Sequence, residues 1–166
     1  MLISVKNRLV FIASSKTGST SIEAALASYA EINRTGSPQR KHIGWAAARK
    51  EYDFLFDRKN FLPETFFRFG VIREPADWVR SWYNYRRFGK HNALPANMSF
   101  EEFWAGDGWV KRIRQKDHFI DEDGICRFNL IIPLERPWHT LPVLLKSLDV
   151  ADVKPKVKIR VRVICL

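Results

Sequence analysis

Lys16, Gly18 and several hydroxyl side chains form the stretch of the sequence with the clearest chemistry. They lie in a short loop, residues 14–20, between an apolar run at residues 9–13 and a helical pattern. A loop that opens a helix in this way directs free backbone N–H groups and the positive end of the helix dipole at one place. Glycine allows a close backbone approach, and lysine adds positive charge. The stretch therefore predicts a site for a phosphate or sulfate group.

Other interpretations of this loop stay open. An ordinary strand–turn–helix with a serine at the N-cap would need no ligand. A standard ATP or GTP site is disfavoured because the pattern G-x-x-x-x-G-K-[ST] is absent: no glycine begins the loop, and Lys16 precedes Gly18. The sequence therefore favours a different kind of anion site.

Arg73 and Ser81 form a second candidate site. A largely apolar run at residues 66–72, interrupted by Arg68, predicts a strand that ends directly at Arg73. Pro75 begins a helix that continues to about Phe88. Arginine presents a planar fork of donors to the oxygens of an anion, and a serine two turns into the helix can reach the same anion. The alternative is an arginine paired with a nearby carboxylate and a serine exposed to solvent.

The composition predicts one globular domain with an anionic partner. The chain has 166 residues, 46% of them hydrophobic, which is enough for a real core. Its net charge of +10 favours a nucleotide, an acidic polymer or nucleic acid. Nucleic acid is not expected, because the basic residues are mostly scattered and no groove-reading motif occurs.

The sequence carries no sign of a membrane span or an export signal. No apolar run reaches 18 residues, and the N-terminus enters a strand pattern almost at once. The two cysteines lack the spacing of metal ligands or of a disulfide framework. A cytoplasmic location is therefore expected.

Strand and helix patterns alternate along the chain. Strands are expected at residues 1–6, 9–13, 66–72 and 130–134. Helices are expected at about residues 20–29, 42–52, 75–88, 99–104, 109–116 and 138–148. Polar loops or turns are expected at residues 34–41 and 121–124, the latter between extended runs at 118–120 and 125–128.

This alternation predicts a single α/β domain, with a central parallel β-sheet flanked by helices and a P-loop-like nucleotide-binding core. The domain is expected to cover residues 1–150, and residues 151–166 form a basic tail that is either a strand or mobile. In this fold class the ligand binds at the carboxyl ends of the strands, where the loops after residues 13 and 72 both open.

Taken together, the two stretches resemble PAPS-dependent sulfotransferases, in the branch shared by carbohydrate sulfotransferases and their bacterial relatives. PAPS is 3′-phosphoadenosine 5′-phosphosulfate. In that family a Pro-Lys-x-Gly-[ST]-[ST]-[ST] loop binds the 5′-phosphosulfate; residues 15–21 here read Ser-Lys-Thr-Gly-Ser-Thr-Ser. A second element, V-R-[DN]-P-x-x-R-x-x-S, binds the 3′-phosphate; residues 72–81 read Ile-Arg-Glu-Pro-Ala-Asp-Trp-Val-Arg-Ser. The resemblance implies these nucleotide-binding residues: Lys16, Thr17, Gly18, Ser19, Thr20, Ser21, Arg73 and Ser81.

The resemblance implies transfer of a sulfuryl group from PAPS to a hydroxyl or amine of a small-molecule or glycan acceptor, without a metal. Lys16 is then catalytic as well, because it stabilises the charge that develops on the bridging oxygen. The acceptor needs a base that works near neutral pH, and His42 is the candidate because the family places this segment near the acceptor. Residues 115–135, with Gln-x-x-x-Phe before an acidic turn, resemble the family's closing segment more weakly.

Several assignments stay open at this point. The rival bases are His91, His118, His139, Glu51 and Glu74. Trp45 is a candidate for lining an acceptor pocket, whereas three tryptophans are expected in the core: Trp78, Trp82 and Trp104. A basic cluster is expected either to be a solvated face or to steer an acidic glycan: Lys111, Arg112 and Arg114. The alternative functions are a P-loop-like kinase acting on ATP and a non-catalytic basic anion-binding domain.

Overall fold

A five-stranded sheet is the centre of the protein in the computed structural model, which describes residues 1–89, 92–106, 114–135 and Lys146. The strands are β1 (Leu2–Ser4), β2 (Leu9–Ile12), β3 (Ile32–Asn33), β4 (Phe67–Ile72) and β5 (Leu130–Pro133). They lie in the order β3-β1-β2-β4-β5. β2, β4 and β5 run parallel to one another, and β1 runs antiparallel to β2 and β3.

The predicted strands are confirmed, but the prediction of a parallel sheet is wrong on the β1 side. Only residues 5–8 separate β1 from β2, and so short a connection allows only an antiparallel hairpin. The turn is closed by Arg8, whose N–H donates to the carbonyl of Val5 and whose φ is +52°. The fold is therefore a single small domain of mixed α/β type. Its parallel part carries both predicted motifs.

Helices pack on both faces of the sheet. The described residues contain α1 (Ser19–Leu26), α2 (Pro38–Lys41), α3 (Trp45–Glu51), α4 (Asp53–Phe56), α5 (Pro75–Phe88) and α6 (Phe100–Gly106). α1 and α5 confirm the helices that were predicted after the two motifs. The capping box before α6 is also confirmed, because the Ser99 and Glu102 side chains each accept from the other residue's backbone N–H. None of these helices combines the length and apolarity that a bilayer crossing needs.

Three predicted segments differ from the structure. The polar loop at residues 34–41 includes α2, because Pro38 begins it and the Ser37 side chain caps it by accepting from the N–H of Arg40. The helix predicted at 42–52 begins only at Trp45, so His42 precedes it. The run at 118–120 is not extended, because a 3-10 turn occupies Gln115–His118.

Some predictions concern residues that the structure does not describe. These are the helix at 138–148 apart from Lys146, most of the helix at 109–116, and the tail at 151–166 with its boundary at residue 150. The same holds for four predicted candidates: His91, His139, Lys111 and Arg112.

The core has two layers because successive residues of β2 face opposite sides of the sheet. Leu9 and Phe11 pack with α1, whereas Val10 and Ile12 pack with α3 and α4. Trp45 is completely buried in this second layer, and its indole N–H donates to the carboxylate of Asp121. The prediction that Trp45 lines an acceptor pocket is therefore wrong. So is a core position for Trp104, which is 46% exposed.

Gly70 in β4 is required by the ring of Phe119, which is 2% exposed. A Cβ atom at position 70 would lie 2.2 Å from Cε1 of that ring. We expect Gly70→Ala to destabilise the protein by about 1–3 kcal/mol because the ring must shift within a packed layer. Urea unfolding measures the change. The matched control is Gly106→Ala in α6, where a Cβ meets nothing within 4 Å among the residues that the structure describes. Equal losses in the two variants would contradict the packing argument.

Candidate anion-binding site

The predicted motifs meet at one edge of the sheet because their strands are parallel neighbours. Ile12 of β2 pairs with Gly70 of β4, and Ile72 pairs with Pro133 of β5. The residues that follow these three strands therefore leave the sheet side by side. A Cβ atom on Gly18 would lie 3.0 Å from Cδ1 of Leu134, so the end of β5 closes one side of the loop at residues 14–18.

The backbone of this loop is suited to binding an anion, because no side chain takes up the N–H groups at the start of α1 as a cap. Gly18 is the N-cap of α1 with φ +69°, and no side chain caps this helix. Lys16 also adopts a left-handed conformation, with φ +62°. The alternative of a serine N-cap is therefore wrong. The N–H of Ser21 donates to the carbonyl of Gly18 at 3.1 Å, so the N–H groups that precede it at the start of α1 are the ones from which an anion can accept.

Lys16 and Arg73 bring two positive charges together at this edge. Burial, and then the charge of Arg73, lower the pKa of Lys16 below its ordinary value of 10.5. Neither cation forms an ion pair with any carboxylate in the described part of the chain. The Nε of Arg73 is buried without a hydrogen-bond partner among the same residues. Two neighbouring cations and an unpaired donor are costly on their own, and a bound anion would offset both costs.

Gln115 fixes the backbone of Arg73. The N–H of Arg73 donates to Oε1 of Gln115 at 2.8 Å, and Nε2 of Gln115 donates to the carbonyl of Arg73 at 2.8 Å. The Glu74 carboxylate caps α5 by accepting from the N–H of Asp77 at 2.8 Å. That bond to Asp77 lowers the pKa of Glu74, whose exposed carboxylate is therefore ionised and engaged. This geometry explains Glu74 as a cap, and gives no support for it as the base.

One face of α5 contacts the loop at residues 14–18, which carries Lys16 and is called the lysine loop below. The indole N–H of Trp78 donates to the carbonyl of Ser15 at 2.9 Å. The Nζ of Lys16 lies 4.2 Å from the centre of the Tyr85 ring. Ser81 falls between these two aromatic residues at helical spacing, so it shares the face that contacts the loop. Ser81 is half-buried, and this spacing predicts that its side chain lies on the same side of α5 as the contacts to Ser15 and Lys16.

His42 lies beside the lysine loop with a fixed ring orientation. Its Nδ1 is 2.8 Å from the carbonyl oxygen of Ala13, the residue after β2. A carbonyl only accepts, so Nδ1 carries the proton and the neutral ring keeps a lone pair on Nε2. Burial is the main reason that the pKa of His42 is below 6.5. His42 is therefore neutral at neutral pH, as a general base must be.

Two rival bases are also described. Burial and then the nearby His42 lower the pKa of His118, so the two imidazoles are neighbours. Nδ1 of His118 is buried and has no hydrogen-bond partner within the described ranges. Glu51 instead forms an ion pair with Arg34. Of the rivals within the described ranges, His118 is thus the one that the fold places near His42.

The loop hydroxyls are only partly directed at a ligand. Thr17 is fully buried, and its Oγ1 donates to the carbonyl of Ser14 at 2.9 Å. Oγ1 of Thr20 accepts from Nζ of Lys41 at 2.7 Å, and that lysine also pairs with Glu23. These two threonines therefore stabilise the loop and the start of α1. Ser19 is 4% exposed and Ser21 is half-buried, so the backbone N–H groups are the main donors that this loop offers.

Sequence reasoning missed the contacts of Tyr85 and assigned no individual role to Gln115. The Gln-x-x-x-Phe spacing was the available signal for Gln115. The phenylalanine of that spacing, Phe119, packs over Gly70. Tyr85 could have been found from its spacing, one turn after Ser81 on α5.

We compared the chain with protein-family models, with curated proteins and with solved structures, and none of these comparisons found a match. The functional assignment therefore depends on the two motifs and on the geometry of the residues that they place.

Proposed function

We propose that this protein is a sulfotransferase that uses PAPS as its donor and a hydroxyl or amine of a small-molecule or glycan as its acceptor. The observation that carries the proposal is the meeting of Lys16 and Arg73 at the ends of neighbouring parallel strands, where neither forms an ion pair with a carboxylate of the described residues. Both residues belong to stretches that resemble the two nucleotide-binding motifs of sulfotransferases. A P-loop-like core is part of this proposal.

The residues fit a nucleotide with two separate anionic ends. Lys16 and the N–H groups that follow Gly18 suit the 5′ end, which lies at a helix N-terminus. Arg73 offers an unpaired buried Nε, and Ser81 lies on the α5 face that packs against the loop, so this pair suits the 3′-phosphate. The backbone contacts of Gln115 leave the whole Arg73 side chain available for that contact.

The proposed chemistry needs one base and one group that stabilises negative charge. When bound, PAPS supplies a sulfuryl group on a bridging oxygen that becomes negative as the S–O bond breaks. In this proposal, Lys16 and the N–H groups at the start of α1 hold the developing charge. His42 accepts the acceptor proton at Nε2, while the bond from Nδ1 to the carbonyl of Ala13 keeps its ring in position.

A thermal-shift comparison of two nucleotides tests this function. We expect 3′-phosphoadenosine 5′-phosphate, at about 100 times its Kd, to stabilise the protein by about 2.7 kcal/mol and to raise Tm by about 5–10 °C. ADP lacks the 3′-phosphate and is expected to produce a much smaller shift. Equal shifts would favour the kinase alternative, and no shift with either nucleotide would favour a binding domain for other anions.

A further inference from the structure

Lys16 lies against a line of three aromatic rings on α5. Its Nζ is 4.2 Å from the ring centre of Tyr85 and 5.8 Å from that of Trp82. Trp82 meets Tyr85 edge to face at 5.8 Å and Trp78 at 6.2 Å. The indole of Trp78 is hydrogen-bonded to the carbonyl of Ser15, next to Lys16 in the chain. The rings therefore run from the base of the loop outward to Tyr85, which is 45% exposed.

The aromatic rings can stabilise the charged form of Lys16, which its surroundings otherwise disfavour. Burial and the charge of Arg73 both disfavour the charged ammonium group. A carboxylate would restore the charge, but it would also occupy the ammonium and repel an incoming anion. The face of an aromatic ring attracts a cation without carrying a net negative charge. Tyr85 and Trp82 can therefore keep Lys16 charged and still leave it available to an anion.

We propose that Tyr85, together with Trp82, is a positioning residue that holds the ammonium group of Lys16 beside Arg73, ready for the anion. The identity of that anion as the 5′ end of a phosphoadenosine nucleotide rests on the proposed function, whereas the contact between Lys16 and the rings does not.

The other charged groups that the structure describes around Lys16 do not take over this role. Arg73, at the start of the β4–α5 connection, repels it. Glu74, on the same connection, caps α5, and Glu135, after β5, accepts from the backbone N–H of Glu74 at 3.1 Å. The loop from residue 14 to residue 18 contributes hydroxyls and no carboxylate. Apart from Lys16 itself, the phenol of Tyr85 is the titratable group of the aromatic face.

Two substitutions at Tyr85 separate its ring from its hydroxyl. Tyr85→Leu removes the ring face and is expected to weaken 3′-phosphoadenosine 5′-phosphate about fivefold by calorimetry. Tyr85→Phe keeps the ring face and should stay within about twofold of the unsubstituted protein. The matched control is Phe88→Leu, on the same helix with its ring 79% exposed, and it should leave the affinity unchanged. Equal losses in Tyr85→Leu and Phe88→Leu would overturn the proposal.

A double-mutant cycle with Lys16→Gln shows whether Tyr85 acts through the lysine. If it does, Tyr85→Leu causes no further loss of affinity once Lys16 is glutamine. If Tyr85 instead stacks on the adenine or on another part of the nucleotide, its removal weakens binding in both backgrounds, and the positioning role is overturned.

The titration of Lys16 itself gives a readout that needs no nucleotide. In protein with ¹³C-dimethylated lysines, the signal that disappears in Lys16→Gln belongs to Lys16. Its pKa should fall further in Tyr85→Leu and return in Tyr85→Phe, and an unchanged pKa in Tyr85→Leu would overturn the proposal. If the pKa of Lys16 responds to Tyr85→Leu but the protein does not bind 3′-phosphoadenosine 5′-phosphate, the positioning role holds and the sulfotransferase assignment fails.

Discussion

Arg73→Ala is expected to weaken the binding of 3′-phosphoadenosine 5′-phosphate by about 30-fold or more. Losing one partner of a desolvated charge pair costs about 2–5 kcal/mol, because the other charge is left unpaired. In this site the unpaired charge would be a phosphate buried against the strand ends. Isothermal titration calorimetry measures the affinity directly. The affinity for ADP, which lacks the 3′-phosphate, should fall much less.

The fold should survive this substitution, which makes the result interpretable. Both hydrogen bonds between Arg73 and Gln115 use backbone atoms of residue 73, so alanine keeps them. The Cα atom stays in place and only the guanidinium is lost. Thermal unfolding without ligand should therefore give a Tm for Arg73→Ala at least as high as that of the unsubstituted protein, because the repulsion between Arg73 and Lys16 is also lost.

Arg80→Ala is the matched control for Arg73→Ala. Arg80 lies on α5, its side chain is 52% exposed, and it pairs with Asp77 at 3.4 Å. An exposed pair of this kind contributes little, so the affinity should change by no more than about twofold. Similar losses in the two variants would show that the nucleotide senses only the overall positive charge, and Arg73 would then be removed from the site.

The parts of the fold with strong local signals were predictable. The apolar runs that became β2 and β4 are each bounded by polar residues, and Pro75 sets the start of α5. The parallel pairing of β2 with β4 then puts Lys16 and Arg73 at one edge without any further information. The direction of β1 was a different kind of problem. It follows from the four-residue turn between β1 and β2, and such a turn has a weaker sequence pattern than a strand or a helix.

The site contacts that escaped prediction join residues far apart in the chain. Gln115 reaches the backbone of Arg73 across 42 positions. Composition alone does not show which aromatic rings pack in the core and which contact Lys16. Trp45 proved to be core because the sheet face beside α3 encloses it, whereas Tyr85 meets Lys16 because α5 leans on the loop. Such choices are made by tertiary packing, which local spacing does not determine.

His42→Asn is expected to lower turnover by about 100-fold or more while the nucleotide still binds. The asparagine amide can donate to the carbonyl of Ala13 in place of Nδ1, so the local hydrogen bond has a substitute. An amide cannot accept the acceptor proton at neutral pH. The assay is release of 3′-phosphoadenosine 5′-phosphate with an active acceptor. His118→Asn is the control at the neighbouring imidazole, and it should keep most of the turnover.

The pH dependence gives an independent check on the same base. Because burial lowers the pKa of His42, its neutral form dominates at and above the ordinary value of 6.5. kcat/KM should therefore fall as the pH drops through the lowered pKa of His42, because the protonated ring can no longer accept. At high pH it should fall again as Lys16, whose pKa is also lowered, loses its charge. A residual acid limb in His42→Asn would mean that another group limits the rate. If His118→Asn removes turnover and His42→Asn does not, then His118 is the base and His42 only supports it.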